Sequence, residues 1–402
     1  MTPVKIVILL AIGYIVFTID KKQKNFPVPV VLVVIGILLS FIPFFSDIQV
    51  TENMIYKIFL PGLLFAAAYQ YPAQALKRNA GVIATLSTIG LALTAGLLGV
   101  IIYAIGGPYA GISLIGALVV ASILTPTDPV SVVAILKQST DDPSIGDVVD
   151  GESMINDGTS VVLFGVLSGM YLNQEAFQPL GFLKEFLYVS AGGVLLGVVI
   201  GWGLSKLIYI THHRDYQVML SLVIAYGGFY LSEHFGFSGV LTTVFAGIML
   251  SFELSRSSKE TSYRSSLGGF WEVAEPSLLS LLFLLIGIEA ADYLAFSFNG
   301  WMLAVIVFIA SLIVRFVIVT LTMQVFDGWR HIVKFKYAAL ISWGGIKGTM
   351  SVFLLLSLST KSSGGADFLL SLSFAVIMLS LIVQSLGVSP LSKLLADGRK
   401  SS

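Results

Sequence analysis

The chain has 402 residues, of which 56% are hydrophobic and 11% are charged. In a soluble domain about a quarter of the residues are charged, so this composition and the mean hydropathy of +0.91 exclude a water-soluble globule. The 23 basic and 23 acidic side chains cancel, so the net charge gives no reason to expect a nucleic acid as a partner. The chain has no cysteine, which excludes disulfides and thiolate metal sites.

Thirteen apolar segments of about 20 residues follow one another, and each can cross a hydrocarbon core about 30 Å thick. They are predicted at residues 4–19, 27–43, 54–71, 80–105, 109–136, 148–171, 182–210, 216–235, 238–254, 272–289, 299–326, 337–359 and 368–388. Only short loops remain, which indicates an all-α polytopic membrane protein with a single transmembrane domain over residues 1–402. Asp20-Lys21-Lys22 follows the first segment where a signal peptide carries small residues, so we expect this segment to be retained.

Basic residues are divided unequally between alternating loops. With thirteen spans, and with basic residues near span ends counted on the nearer side, four Lys and Arg residues lie on one side of the membrane and seventeen on the other, which leaves Arg315 and Lys347 well inside predicted spans. Loops rich in Lys and Arg remain in the cytoplasm. This distribution predicts an extracellular N-terminus and a cytoplasmic C-terminus.

Five charged residues fall well inside predicted spans: Asp128, Glu152, Asp157, Arg315 and Lys347. An ionised side chain at the bilayer centre costs about 3 kcal/mol on insertion scales, so each of them is a candidate functional group. A structural ion-pair network that locks helices together is the alternative reading, above all for Glu152 with Arg315.

The sixth span carries two polar pairs at a spacing of four residues. Glu152 is four residues from Asn156, and Ser153 is four residues from Asp157, so both pairs lie on one side of a helix. The residues that follow, 161–164, are apolar. The pattern therefore predicts one polar patch facing the interior of the helix bundle.

Two spans are predicted to be broken at membrane depth. Pro126 and Pro129 lie three residues apart in the fifth span, beside Thr127 and Asp128, and they remove backbone donors there. An ordinary proline kink is the alternative reading. The twelfth span contains Gly-Gly-Ile-Lys-Gly at residues 344–348. Breaks in corresponding spans are typical of inverted-repeat transporters, so we predict repeats of spans 2–6 and 9–13 with discontinuous spans 5 and 12.

The predicted site gathers hard oxygen ligands. These are the carboxylates of Asp128 and Asp157, the amide oxygen of Asn156, the hydroxyls of Thr127 and Ser153, and free carbonyl groups at residues 125–128. Without thiolate or histidine nearby, such a set favours a small hard cation over a transition metal. We expect no resident cofactor, with the cation as cargo.

The charges of the site suggest how the cargo is exchanged. Three carboxylates and two cations leave one negative charge, which either one monovalent cation or one proton neutralises. This balance predicts one-for-one exchange. Asp157 is the expected shared carrier, Glu152 is expected to pair with Arg315, and Lys347 is expected to compensate the half-helix ends and Asp128.

At these residues the sequence resembles the monovalent cation/proton antiporters, specifically their electroneutral NhaP/NHE-type branch. The likeness rests on Thr-Asp-Pro-Val at 127–130, Gly-Glu-Ser-Met-Ile-Asn-Asp-Gly at 151–158, Arg315-Phe316, and Trp-Gly-Gly-Ile-Lys-Gly at 343–348. Their order and spacing extend over most of the chain.

The resemblance implies an NhaA-like fold, a homodimer in the cell membrane, and exchange of Na⁺ or Li⁺ for H⁺ in pH homeostasis. It also implies alternating access by a moving core of about 80–171 and 299–388 against a dimerisation scaffold. It assigns ion coordination to Thr127, Asp128, Ser153 and Asp157, and a structural ion pair to Glu152 and Arg315. Asparagine at position 156 favours electroneutral exchange, since electrogenic relatives carry aspartate there.

Two positions depart from the family pattern. Ala66 stands where the third helix of the family often has glutamate, and Lys347 stands where an arginine is usual. The first raises the question whether the third helix contributes to cation entry. The second leaves open a different pH profile, because lysine, unlike arginine, can lose its proton.

Three other function classes fit parts of the pattern. A cation channel or uniporter could share the buried carboxylates and broken helices but has no need of balanced charges. A K⁺-preferring cation/proton antiporter is the alternative within the transporter class. An enzyme is not expected, because the sequence lacks the Gly-x-Gly-Asp and His-Glu-x-x-His motifs of intramembrane proteases.

Overall fold

The computed structural model describes residues 2–19, 28–46, 48, 51–128, 133, 144–175, 177–210, 213–256, 260–293, 297–330, 335–362, 366–388 and 390. Within these ranges all regular secondary structure is helical, as the composition predicts. The main helices are α1 (Pro3–Ile19), α2 (Val28–Ser40), α3 (Ile55–Gln70), α4 (Ala73–Ala110), α5 (Leu114–Ile123), α6 (Ser144–Leu172), α7 (Pro179–Ile210), α8 (214–234), α9 (Gly239–Ser255), α10 (Glu260–Tyr293), α11 (Phe298–Val325), α12 (Phe335–Trp343), α13 (Thr349–Lys361) and α14 (Asp367–Val388). Short helical turns lie at Pro43–Ser46, Glu52–Met54 and Asp327–Arg330.

Helix ends follow local sequence signals. Ser113, Ser238 and Ser297 each accept a hydrogen bond from a backbone N–H three residues later, which begins α5, α9 and α11. Gly111 ends α4 in the left-handed conformation with φ of 64°, which a residue without Cβ adopts readily. Within the described residues each predicted segment overlaps a helix, with bounds that differ from the predictions by several residues in places.

Five of these helices are long and apolar enough to cross a membrane, namely those at Ala73–Ala110, Pro179–Ile208, Tyr263–Glu289, Phe298–Val325 and Asp367–Val388. Six further apolar helices are shorter, among them α3, α5, α9 and α13. Many large apolar side chains on the outer faces of α7 and α11 are exposed, as in a protein surrounded by lipid. The architecture is that of a polytopic membrane protein.

Four helices contain one π-helical turn each, in which an extra residue widens the helix. The turns lie at Ile55–Phe59 in α3, Leu86–Gly90 in α4, Val223–Gly227 in α8 and Ser380–Gln384 in α14. Widened turns of this kind often occur at functional sites. Those in α4 and α14 contact the polar centre described below.

Both predicted interruptions are present. In the fifth span the helix Leu114–Ile123 ends and residues 124–128 leave helical geometry, and Pro129 and Val130 lie outside the described residues. The twelfth span is divided into α12 and α13 by the non-helical residues Gly344–Gly348. Because these interruptions lie among buried helices, their free backbone groups need partners from neighbouring elements.

Candidate ion-binding site

The two interruptions meet each other. The backbone N–H of Asp128 donates to the carbonyl oxygen of Ile346 at 2.8 Å, so one break satisfies a backbone group of the other. The contact is close, because a Cβ added at Gly348 would overlap the Asp128 side chain. The absence of a side chain at Gly348 thus allows the second interruption to lie against the acid of the first.

Helix α6 holds the first interruption with two side chains. Ser153 Oγ donates to the carbonyl oxygen of Thr127, and Asn156 Nδ2 donates to the carbonyl oxygen of Thr125 at 3.3 Å. Asn156 Nδ2 also lies 3.5 Å from Thr127 Oγ1. The expectation of free carbonyl groups at this break is thereby corrected, since the carbonyl oxygens of Thr125 and Thr127 already accept hydrogen bonds. They do so because α6 packs directly against the non-helical backbone of residues 124–128.

Glu152 and Arg315 form a buried two-point ion pair. Arg315 Nη1 and Nη2 donate to the two carboxylate oxygens of Glu152 at 3.1 and 2.8 Å. Asn156 Nδ2 donates to the same carboxylate at 3.2 Å. Gly345 in the second interruption leaves room for Arg315, since a Cβ there would overlap the guanidinium. The pair therefore links α6, α11 and the break between α12 and α13.

Lys347 lies on the ion-pair side of the polar centre. Its side chain is 4% exposed and lines a small cavity together with Glu152, Asn156 and Arg315. Asp128 lines another cavity and meets residue 346 through its backbone. The compensation of Asp128 and the half-helix ends by Lys347 stays a prediction.

A cavity of about 420 Å³, the first cavity, reaches the predicted ion ligands. Asp128, Ser153 and Asp157 line it at its inner end, and Gln70 and Pro72 are exposed at its outer end. Oδ1 of Asp157 is buried, and within the described residues it has no hydrogen-bond partner. A carboxylate oxygen in that position is open to a proton or a cation.

A second cavity, of about 470 Å³, is lined by residues further along α3, α6 and α13, three helices that also line the first cavity. Along α6, Asp157 belongs to the first cavity and Val161 to the second, and along α13 Thr349 and Phe353 divide in the same way. Along α3, Leu60 lines the first cavity and Tyr56 the second. The two cavities are therefore separated by about one helical turn, or about 6 Å.

Aromatic side chains occupy the boundary on the side of the second cavity. The rings of Tyr56 and Phe353 stack with centroids 5.0 Å apart, and Phe229 meets Tyr56 edge to face at 4.9 Å. The Tyr56 hydroxyl donates to Glu233 Oε1 at 2.8 Å. This cluster joins α3, α8 and α13, and its members Tyr56 and Phe353 line the second cavity.

Two acidic residues of the first cavity were not predicted as site residues. Asp150 lies on α6 one turn before Ser153, and Glu275 faces it from α10, where its Oε2 accepts a hydrogen bond from Gln70 at 3.0 Å. The helical spacing of Asp150, Ser153 and Asp157 could have indicated the first of them. Glu275 required the tertiary packing of α3 against α10.

The alanine that departs from the family pattern lies away from both cavities. Ala66 is fully buried in a cluster with Phe65, Tyr69 and Trp271, whereas its neighbour Ala67 lines the first cavity. A glutamate at position 66 would therefore face that aromatic cluster in this conformation. The departure removes no charge from the cavity wall.

The structure brings all eight predicted site residues into one centre. Thr127, Asp128, Ser153 and Asn156 are joined around the first interruption, Glu152 and Arg315 brace it, Lys347 lies beside that pair, and Asp157 faces the cavity. No cluster of three or more His, Cys, Asp or Glu suited to a metal occurs among the residues that the structure describes. Oxygen groups with a single open carboxylate suit a monovalent cation or a proton.

Comparison with known proteins gives a consistent result. A family profile described as "Sodium/hydrogen exchanger, transmembrane" matches residues 6–394. The Na(+)/H(+) antiporter ApNhaP of Aphanothece halophytica is 31% identical over 389 residues, which cover 94% of this chain and 72% of that protein. The Na(+)/H(+) antiporter NhaH of Halobacillus dabanensis is 30% identical over 405 residues, which cover 97% of both proteins.

A solved structure gives the same result for the fold. The structure of the sodium proton antiporter MjNhaP1 from Methanocaldococcus jannaschii at pH 8 matches with a TM-score of 0.75 and covers 98% of both chains. The sequence identity in this comparison is 19%, so the likeness concerns the helical architecture.

Proposed function

This chain belongs to the sodium/hydrogen exchanger family, and we propose that it is a secondary transporter that exchanges Na⁺ or Li⁺ for H⁺ across a cell membrane. The observation that carries this proposal is the buried Asp157 oxygen without a hydrogen-bond partner, in a cavity shared with Asp128 and Ser153. Such an oxygen can bind a cation or a proton, but one excludes the other. Competition for one carboxylate couples the two substrates.

In the proposed ion site, Asp157 is the shared carrier and Asp128, Thr127 and Ser153 supply further oxygen ligands to Na⁺. Asn156 supports the site through the first interruption and leaves its own Oδ1 without a partner. The two-point contact of Glu152 with Arg315 supports a structural role for that pair. Its charges neutralise each other and do not take part in the exchange.

Charge balance supports a stoichiometry of one Na⁺ for one H⁺. With the Glu152–Arg315 pair neutral, Asp128, Asp157 and Lys347 leave one negative charge in the centre. One bound Na⁺ or one bound proton removes that charge, so both loaded states are equally neutral. We therefore propose electroneutral exchange, in which only a neutral centre crosses between its two orientations.

The two cavities support alternating access. The first cavity reaches Asp157, while Tyr56 and Phe353 of the aromatic cluster line the second, which does not include Asp157 in its lining. Lys77 and Arg78 follow the helix end at which the first cavity opens, and basic residues favour the cytoplasmic side. We propose that this conformation faces the cytoplasm, with the N-terminus outside and the C-terminus inside.

The proposal includes the finer architecture of the transporter. It comprises 13 spans, inverted repeats of spans 2–6 and 9–13, and a moving core of about 80–171 and 299–388. The remaining spans form the scaffold of a homodimer. The extensive bonding among the two interruptions, α6 and α11 supports their movement as one unit.

The proposal is tested with the full chain purified and reconstituted into liposomes that contain a pH-sensitive dye. An outward Na⁺ gradient is expected to drive protons inward and so to acidify the lumen. A K⁺ ionophore is expected not to change the rate. Na⁺ flux without proton movement would instead indicate a channel or uniporter. Proton movement driven by K⁺ and not by Na⁺ or Li⁺ would indicate a K⁺-preferring exchanger.

A further inference from the structure

The second interruption is held by two side chains to which the proposed mechanism gives no role. The break between α12 and α13 takes residues 344–348 out of helical geometry, so backbone groups at its ends need other partners. Gln384 Nε2 donates to the carbonyl oxygen of Trp343 at 2.6 Å, and Trp343 Nε1 donates to the carbonyl oxygen of Gln384 at 2.9 Å. This reciprocal pair fixes the end of α12 against α14.

Ser380 continues the connection across the interruption. Its hydroxyl accepts a hydrogen bond from the backbone N–H of Lys347 at 2.8 Å and donates to Gln384 Oε1. A chain of hydrogen bonds thus runs from Lys347 through Ser380 and Gln384 to Trp343. Both side chains are completely buried, so water cannot replace either of them as a partner.

The shape of α14 is adapted to this contact. Ser380 and Gln384 are the first and last residues of its π-helical turn, which places an extra residue in the helix beside the interruption. At Gly387, three residues later, an added Cβ would overlap the indole of Trp343. The helix therefore approaches the break as closely as its backbone allows.

The position of this break determines the surroundings of Asp128. The Ile346 carbonyl accepts the Asp128 N–H, Gly348 lies against the Asp128 side chain, and Gly345 lies against Arg315. A displacement of residues 344–348 would therefore move a proposed Na⁺ ligand and the brace of the ion pair together. Small displacements of groups that bind a reacting or transported species have large effects.

The first interruption is held in the same way by α6. There a serine, Ser153, and an amide, Asn156, bond the backbone of residues 125–127. In the repeats proposed above, α6 and α14 are the corresponding helices, each following a broken span. A serine and an amide thus hold each break, although only α6 also carries a carboxylate for the ion.

We infer that Ser380 and Gln384 are positioning residues for cation binding, which hold the second interruption so that Asp128 keeps its place in the site. The inference rests on the proposed function and extends it to a helix without a charged residue in the centre. They act through the backbone of residues 343–347 and do not touch the cation.

The test compares three substitutions in α14 and one in α8, in the full chain reconstituted into liposomes. Ser380→Ala and Gln384→Leu are expected to raise the Na⁺ concentration for half-maximal exchange about tenfold, because a displaced ligand weakens binding. Ser373→Ala is the matched control, since Ser373 is equally buried in α14 and its hydroxyl has no hydrogen-bond partner among the described residues. Gln217→Leu removes a buried amide of α8 and controls for a general loss of stability.

Both controls are expected to leave half-saturation unchanged when rates are normalised to folded protein. The inference is overturned if Ser380→Ala leaves the half-saturating Na⁺ concentration within twofold of the unsubstituted chain, or if Ser373→Ala raises it equally. Should Gln384→Leu fail to fold, Ser380→Ala decides the question alone. If the unsubstituted chain moves no protons with Na⁺, the proposed function fails, which is a different result from normal exchange with unaltered half-saturation.

Discussion

At the scale of single residues, Asp157 combines burial with an unused oxygen. Helix α6 places it at the inner end of the first cavity, while Ser153 and Asn156 from the same helix bond to the first interruption. Ser153 and Asp157 are four residues apart, so they share a face of α6 and line the same cavity. This one face therefore both holds the first interruption and presents the free oxygen of Asp157.

We expect Asp157→Asn to reduce exchange to the level of protein-free liposomes. An amide has nearly the size of the carboxylate but binds neither a proton nor Na⁺ by charge, so folding is preserved and coupling is lost. The measurement is Na⁺-driven pH change together with size-exclusion behaviour of the purified protein. Asp150→Asn is the control, since Asp150 lines the same cavity further from the centre and exchange is expected to persist. Normal exchange by Asp157→Asn would refute its role as carrier.

The Glu152–Arg315 pair makes a prediction about stability. Glu152→Ala leaves Arg315 buried without its carboxylate, which costs about 3–5 kcal/mol. The expected result is a lower yield of folded protein and a lower thermal midpoint in detergent. Combining Glu152→Ala with Arg315→Leu is expected to restore part of the loss, because no charge is then stranded. A double variant less stable than the single one would contradict this account.

At the scale of elements, the contact between the two interruptions depends on a missing side chain. Gly348→Ala would place a methyl group onto Asp128, and the backbone of residue 348 has a negative φ of −116°, so the obstruction is one of space alone. We expect half-saturating Na⁺ to rise about tenfold as Asp128 is displaced. Gly203→Ala in α7 is the control, since an added Cβ there meets nothing within 4 Å. Equal effects of the two variants would contradict the prediction.

The elements also explain which parts of the site could be predicted. Prolines in the fifth span and glycines in the twelfth marked both interruptions, and four-residue spacing marked the polar face of α6. Gln384 gave no such signal, because a neutral amide in the apolar run Ser380-Leu-Ile-Val-Gln384 resembles any packed polar residue. Lys347 was expected to offset charge at the second break, but its place in one small cavity with Glu152 and Arg315 required the path of the loop.

Contacts between distant segments were beyond reach of the sequence patterns. Tyr56, Phe229 and Phe353 come from three helices, and no spacing relates them along the chain. The same is true of Gln70 and Glu275, which meet where α3 packs against α10. Charge in an apolar span is informative by itself, whereas an aromatic or amide side chain gains its meaning from its neighbours.

At the scale of the whole molecule, the natural absence of cysteine allows a direct test of orientation and access. Ala67→Cys would expose a thiol in the first cavity, and Gly165→Cys would expose one in the second. An impermeant maleimide is expected to label Ala67→Cys in inside-out vesicles and Gly165→Cys in right-side-out vesicles. Ala66→Cys is the control, since position 66 is fully buried and should not react from either side. The reverse pattern would invert the proposed topology.

The short distance between the two cavities also has an electrical consequence. With water in both cavities, most of a transmembrane voltage would fall across the section between them, about one helical turn or some 6 Å, and not across the full hydrocarbon thickness of about 30 Å. A net charge carried through this section would meet nearly the whole potential, about 2.3 kcal/mol for 100 mV. In the proposed mechanism, Na⁺ or H⁺ bound at Asp157 would remove that charge from both crossings. A centre built in this way would keep its rate constant while the membrane potential of the cell rises and falls.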